Sequence, residues 1–172
     1  YSGAGGAHSF AVSSVLESVG GHSAAGAVYQ FDSDGVPLYR YDNPAPQRQD
    51  RFGAEIIPVE DRWLISADRA NRNGLENVGA VYLFQNRSSD FEALQNPKPA
   101  ARDMFGEALA TSGRWLFVGA PGKYAGAGAV FRYQVDDISK VVELASPIGS
   151  GTSFGAVLAA TNDQLVVGSV GE

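Results

Sequence analysis

The sequence predicts an all-β chain of repeated four-stranded units on the plan of a β-propeller, partial or completed by another segment or chain. Gly-Ala-Val followed by an aromatic recurs at Gly26-Ala27-Val28-Tyr29, Gly79-Ala80-Val81-Tyr82 and Gly128-Ala129-Val130-Phe131, spaced by 53 and then 49 residues. Phe-Gly keeps step with it at Phe52-Gly53, Phe105-Gly106 and Phe154-Gly155, at the same two spacings. The 21 glycines and 8 prolines are spread along the 172 residues, the punctuation of many short strands joined by tight turns. A period of about 50 residues carrying four strands is that of a propeller blade.

Each period reads as a Phe-Gly strand, a short polar turn, an apolar strand, a variable loop, a Gly-Ala-Val strand, a hairpin and a weaker last strand. In the second unit the strands fall at Phe52 to Ile57, Trp63 to Ala67, Gly79 to Phe84 and Phe91 to Leu94. In the third they fall at Phe105 to Ala110, Trp115 to Gly119, Ala129 to Tyr133 and Val141 to Leu144, and Pro44, Pro97 and Pro147 close each fourth strand. The units span about 1–46, 47–99, 100–148 and 149–172 of one domain, 1–172. Leu38-Tyr39-Arg40-Tyr41 alternates as a half-exposed strand does, whereas Leu116-Phe117-Val118 and Leu165-Val166-Val167 run on as buried strands do. Ala11 to Ser23 fits either a first or a second strand. Trp63 and Trp115 open the second strand in two units, which points to packing between units rather than to a sugar-stacking platform.

Asp103-Met104-Phe105-Gly106-Glu107-Ala108-Leu109-Ala110, then Trp115-Leu116-Phe117-Val118-Gly119-Ala120-Pro121 and Gly128-Ala129-Val130-Phe131, resembles an FG-GAP repeat. Such repeats build integrin α-chain propellers and, closer in their short first turn, bacterial cell-surface FG-GAP proteins. The resemblance covers residues 26 to 172, is nearest in the third unit, and lacks Phe-Gly in the first. It implies a non-enzymatic extracellular or cell-surface module for adhesion, recognition or structural assembly, with a protein or glycan as partner.

Composition narrows the alternatives. With 13 basic against 19 acidic residues, a net charge of −6 and no basic cluster, nucleic acid is a poor partner. No apolar run reaches the length of a membrane span, so no membrane insertion is expected. The absence of cysteine excludes disulfides, thiolate catalysis and cysteine-bound zinc. A chain opening on Tyr1 reads as a processed or excised product, its signal peptide not part of it.

Leu165 to Glu172 supplies a second strand without a third, and Tyr1 to Phe10 resembles the missing third strand. Three arrangements are open: a piece of a larger propeller, a small closed ring, or a protomer completed head to tail by N-terminal strand complementation, giving a homo-oligomer or fibre.

The calcium (Ca2+) loop of integrin-type repeats lies between the first and second strands and needs several Asp or Asn oxygens. Pro58-Val59-Glu60-Asp61-Arg62 and Thr111-Ser112-Gly113-Arg114 are too short and too poor in oxygens, so no cofactor is expected from that loop. Asp32-Ser33-Asp34-Gly35 reads as a hairpin turn. In the loop from Asp68 to Val78, Asp68, Asn71, Asn73 and Glu76 are candidate metal and ligand residues, opposed by two arginines. The loop Gly122 to Gly126 adds Lys123 and Tyr124 as candidate ligand residues. Gly119-Ala120-Pro121-Gly122-Lys123 lacks the Ser or Thr and the helix of a phosphate loop. Gly21-His22-Ser23-Ala24-Ala25 misses the nucleophile elbow, with only His8 and His22 as bases. Glu55, Glu107 and Glu143 read as solvent-facing, so no catalytic residue is assigned and a carbohydrate-binding domain is the weaker alternative.

Overall fold

A computed structural model describes residues 9–162 and 164–171, which form an all-β chain of successive antiparallel sheets, none closed on itself. The first sheet holds β1 (Ser9–Ser14), β2 (Ala27–Asp32) and β3 (Pro37–Asp42). The second holds β4 (Ile56–Val59), β5 (Arg62–Ala67), β6 (Ala80–Gln85) and β7 (Phe91–Leu94). The third holds β8 (Leu109–Ser112), β9 (Trp115–Ala120), β10 (Ala129–Gln134) and β11 (Asp137–Ala145), and the fourth β12 (Val157–Ala160) and β13 (Leu165–Gly168). Within each sheet the strands lie in chain order.

Phe-Gly works as a corner between consecutive sheets. The amides of Phe52, Phe105 and Phe154 donate to the carbonyls of Ala25, Val78 and Ala127 in the preceding unit, at 2.9, 2.9 and 3.1 Å. The next amides, of Gly53, Gly106 and Gly155, turn back into their own unit and donate to Ser66, Gly119 and Gly168. Gly79 and Gly128 therefore lie parallel to Phe105 and Phe154, with φ of 84° and 82°, and a Cβ on either glycine would collide with the phenylalanine carbonyl. Only glycine meets both demands.

Three apolar layers alternate with the sheets. Val28 and Tyr41 of the first sheet meet Phe52, Ile65, Tyr82 and Phe84 of the second. Leu64, Leu83 and Leu94 meet Leu109, Leu116, Val118 and Phe131 of the third. Ala110, Phe117 and Val130 meet Phe154, Leu158, Leu165 and Val167 of the fourth. Each fully buried Leu, Ile or Phe in these layers stabilises the fold by about 1.5–3 kcal/mol. β9 is buried on both faces, as its continuous apolar run predicts, because a sheet covers each side.

One open choice is settled and three expectations change. The segment after Ser9 is a second strand: β1 pairs with β2 just as β5 pairs with β6, with Ser14 opposite Ala27 and Ala67 opposite Ala80. Ser9 and Phe10 thus belong to the first sheet and are not a third strand for the last one, while Tyr1 to His8 lie outside the described residues. Trp63 and Trp115 are not equivalent. Trp63 lies opposite Phe84 and packs toward the first sheet, whereas Trp115 is one place earlier in register and packs toward the fourth. A one-residue slip reverses the face of a strand side chain. Finally, Val166 is exposed, since no described residue covers that face of β13.

Candidate functional site

Antiparallel order places the loops joining second to third strands, and those leading into each Phe-Gly, at one end of the sheets. Two elements recur there. Asn43 Oδ1 accepts the Ala45 amide (3.1 Å) and Asn96 Oδ1 the Lys98 amide (3.3 Å), each bracketing an Asn-Pro turn. Their Nδ2 atoms donate to Asp50 Oδ2 (2.9 Å) and Asp103 Oδ2 (2.8 Å), and the same oxygens accept the Gln47 and Ala100 amides. In the next unit Ser146 and Thr152 take these places, their hydroxyls 3.3 Å apart.

Each corner carboxylate meets a cation from the second-to-third-strand loop of its own unit. Lys123 Nζ lies 3.1 Å from Asp103 Oδ2, and donates to the Lys98 carbonyl at 2.5 Å and to Asn96 Oδ1 at 3.4 Å. Only 2% of Lys123 is exposed, and its ammonium also lies 5.5 Å from the Phe131 ring centroid. Arg72 Nη1 is 3.4 Å from Asp50 Oδ2, and Arg72 Nη2 donates to the Tyr82 hydroxyl. Lys123 is thereby committed to internal partners.

Asp68 follows β5, where the first, third and fourth units carry Val15, Pro121 and Val170. It is 4% exposed; Oδ2 lies 3.3 Å from Arg51 Nη1 and 3.8 Å from Arg69 Nε, and Oδ1 has no hydrogen-bond partner among the described residues. Burial lifts its carboxyl above the ordinary range, with the two guanidinium groups pulling it part of the way back. Glu55 and Glu107, which precede β4 and β8, are raised by burial and then by the charge of Asp68. Glu107 is half-buried and Glu55 stands at the exposed rim.

The remaining loop candidates separate. Asn71 Oδ1 accepts the Asn77 amide at 2.8 Å and staples its own loop. Asn73 and Gly74, with φ of 53° and 78°, form the tip of a small hairpin closed by the Arg72–Leu75 bridge. Glu76 is exposed, and its carbonyl accepts the Arg102 amide. Asp68, Asn71, Asn73 and Glu76 thus do not converge, and among the described residues no three acidic or histidine side chains are placed to hold a metal ion. Asp32 Oδ1 caps its hairpin by accepting the Asp34 and Val36 amides.

Tyr124 is different. In the helical turn Lys123–Gly126 the backbone of Tyr124 and Ala125 is left-handed, with φ of 54° and 56°, as it also is at the corner residues Arg51, Met104 and Ser153. The Tyr124 ring is half exposed, and its hydroxyl donates to Glu143 Oε1 at 2.5 Å. Beside it runs an open groove of about 390 Å³ lined by Arg102, Met104, Gly122, Ala125 and Ser153. A second recess of about 240 Å³ lies by Arg72, Tyr82, Asn96 and Phe105. The Arg102 side of the groove and the Asn-Asp corners escape sequence reasoning, although Asn-Pro and Asp-x-Phe-Gly recur in step in two units. No protein-family model matches the chain, and no curated protein matches its sequence.

Proposed function

We propose that the chain is part of an FG-GAP-type β-propeller at a cell surface or outside the cell, a non-enzymatic module that recognises a protein or glycan through the loop end of its sheets. The supporting observation is the division of labour along the repeat. Strands and corners are consumed by packing and by internal hydrogen bonds, while Tyr124 stands exposed on a left-handed turn beside an open groove. An exposed aromatic ring at a groove that Arg102 also lines suits the apolar face of a sugar ring or a peptide side chain. Neighbouring sheets joined by identical Phe-Gly corners support the propeller arrangement.

The test is binding of the 172-residue polypeptide to immobilised glycan and extracellular-matrix protein panels, beside the double variant Arg102→Ser/Tyr124→Ser. A ligand whose affinity drops about tenfold or more in the double variant, an ordinary loss for removing anchoring aromatic and arginine contacts, supports the reading. A ligand bound equally well by both, or no binding on either panel, overturns it.

A further inference from the structure

We propose that the two end faces of the sheet array bind each other, so that copies of this polypeptide stack head to tail, face on face. The proposal goes beyond recognition at the loops and rests on different residues.

Every internal junction brings together the same two surfaces: the following face of one sheet and the preceding face of the next. The paired registers identify their positions row by row. On the preceding face, Trp63 lies opposite Phe84 and Leu116 opposite Tyr133; one pair further on, Ile65 lies opposite Tyr82 and Val118 opposite Phe131. In the first sheet the same rows are Phe10 opposite Phe31 and Val12 opposite Tyr29. On the following face, Leu64 lies opposite Ile57 and Phe117 opposite Ala110, and in the fourth sheet the same row is Val166 opposite Ala159.

Position for position, what is buried inside is bare at the ends. Ile65 and Val118 are 0% exposed and Val12 is 49% exposed; Leu64 is 0% exposed and Val166 is 63% exposed. Phe10 and Val157 are exposed beside them, Phe10 stacked on Phe31 with ring centroids 5.5 Å apart. The chain therefore carries, at opposite ends, the two halves of a junction that its successive sheets make internally.

Polarity fits the same pairing. On the front face the Tyr29 hydroxyl donates to Glu17, and Arg40 pairs with Glu17 (2.9 Å) and Asp42 (2.7 Å), so the charged groups toward β3 are satisfied within their own sheet. The rear face is two strands wide and presents Val157, Ala159 and Val166. Two strands cover Phe10 and Val12 and leave the Arg40 network in water, where such exposed ion pairs remain solvated. A contact of two different faces is heterologous, and repeats into a ring or a filament.

The experiment is sedimentation velocity on the 172-residue polypeptide between about 10 and 500 µM, a range suited to a contact at the small end of interface sizes. Val12→Asp and Val166→Asp are run alone and as an equimolar mixture, with circular-dichroism melts to establish that both fold. The expected result is a wild-type mass that rises with concentration, two variants that each stay monomeric, and a mixture that regains dimers but no larger species. The mixture keeps one intact front face and one intact rear face, which a head-to-tail contact needs and a face pairing with itself does not. A wild type monomeric throughout overturns the proposal and leaves the faces to further units of the same repeat; a variant that dimerises alone, or a mixture that stays monomeric, overturns it as well. Arg102→Ser/Tyr124→Ser associates as wild type does, which separates this outcome from that of the loop reading.

Discussion

The loops Asp68–Gly79 and Pro121–Gly128 start and end at equivalent places and do the same job by different routes. Both must bring a cation to a buried corner carboxylate, Asp50 or Asp103. The longer loop has room for a hairpin tip at Asn73-Gly74 and reaches Asp50 with Arg72, whose side chain stays 22% exposed. The shorter one delivers Lys123 from a position that aligns with Ala70, since Ala70 and Lys123 each accept the amide of the Gly-Ala-Val glycine. The backbone of Tyr124 and Ala125 in the shorter loop is left-handed, as that of Asn73 and Asn77 is in the longer one, and the Tyr124 ring stands half exposed. The two loops thus bury the same kind of ion pair to different depths, and of the two only the shorter one presents an aromatic ring to solvent beside it.

The widest separation between the two loops should come from removing the carboxylates. Asp103→Ala leaves the Lys123 ammonium buried with only neutral oxygens, and is expected to cost about 3–5 kcal/mol. Asp50→Ala releases Arg72 toward water and should cost about half as much. Urea titrations, read as a shift in midpoint at constant slope, decide it; equal losses would mean that burial of the cation does not distinguish the loops.

Glycine substitutions sharpen the contrast between corner and tip. Gly79→Ala places a Cβ against the Phe105 carbonyl at φ of 84°, and Gly128→Ala does the same against Phe154; each is expected to cost about 3 kcal/mol. Gly74 has a φ of 78°, but a methyl group there would meet no neighbour within 4 Å. Gly74→Ala should therefore cost only about 1 kcal/mol. Thermal melts of the three variants measure it.

These cases also mark what is legible in the chain. In the second and third units the second, third and fourth strands can be read from the text. The first strands, expected at Phe52 to Ile57 and Phe105 to Ala110, begin only at Ile56 and Leu109, because Phe-Gly is spent on a backbone corner that tolerates no other residue. The first unit cannot be read in this way, since Ser9–Ser14 has neither marker before it and its place is set by pairing with β2. Trp63 and Trp115 look equivalent in a line of text but differ by one step in register, which only strand pairing fixes. At the loop end the sequence offers Tyr124 as one of six ligand candidates, and the structure leaves its ring half exposed. Lys123 reads in the sequence as a loop cation free for ligand, and its burial depends on Asn96 and Asp103, some twenty residues and more away in sequence. The Glu55, Asp68 and Glu107 cluster joins two units and has no local signature.

That cluster gives the smallest predicted effect, and its sign follows from the direction of the shifts. Asp68, Glu55 and Glu107 are all raised by burial above ordinary values of 3.8 and 4.5, so each holds its proton more tightly in the folded chain than in the unfolded one. Between the ordinary and the folded values the native state then binds more protons, and stability falls as pH rises through that window. The melting temperature is expected to rise as pH is lowered from neutrality toward the ordinary carboxyl values of 3.8 and 4.5. Asp68→Asn removes the most buried member and the charge that raises the other two, so its melting curve should depend less on pH and match or exceed wild type at neutral pH. Pro121 already occupies this place in the third unit without a charge, which is why the fold should tolerate the change. A variant less stable than wild type at neutral pH would show instead that Arg51 and Arg69 more than offset the burial of the carboxylate, and that Asp68 is held as the anchor of a stabilising ion cluster.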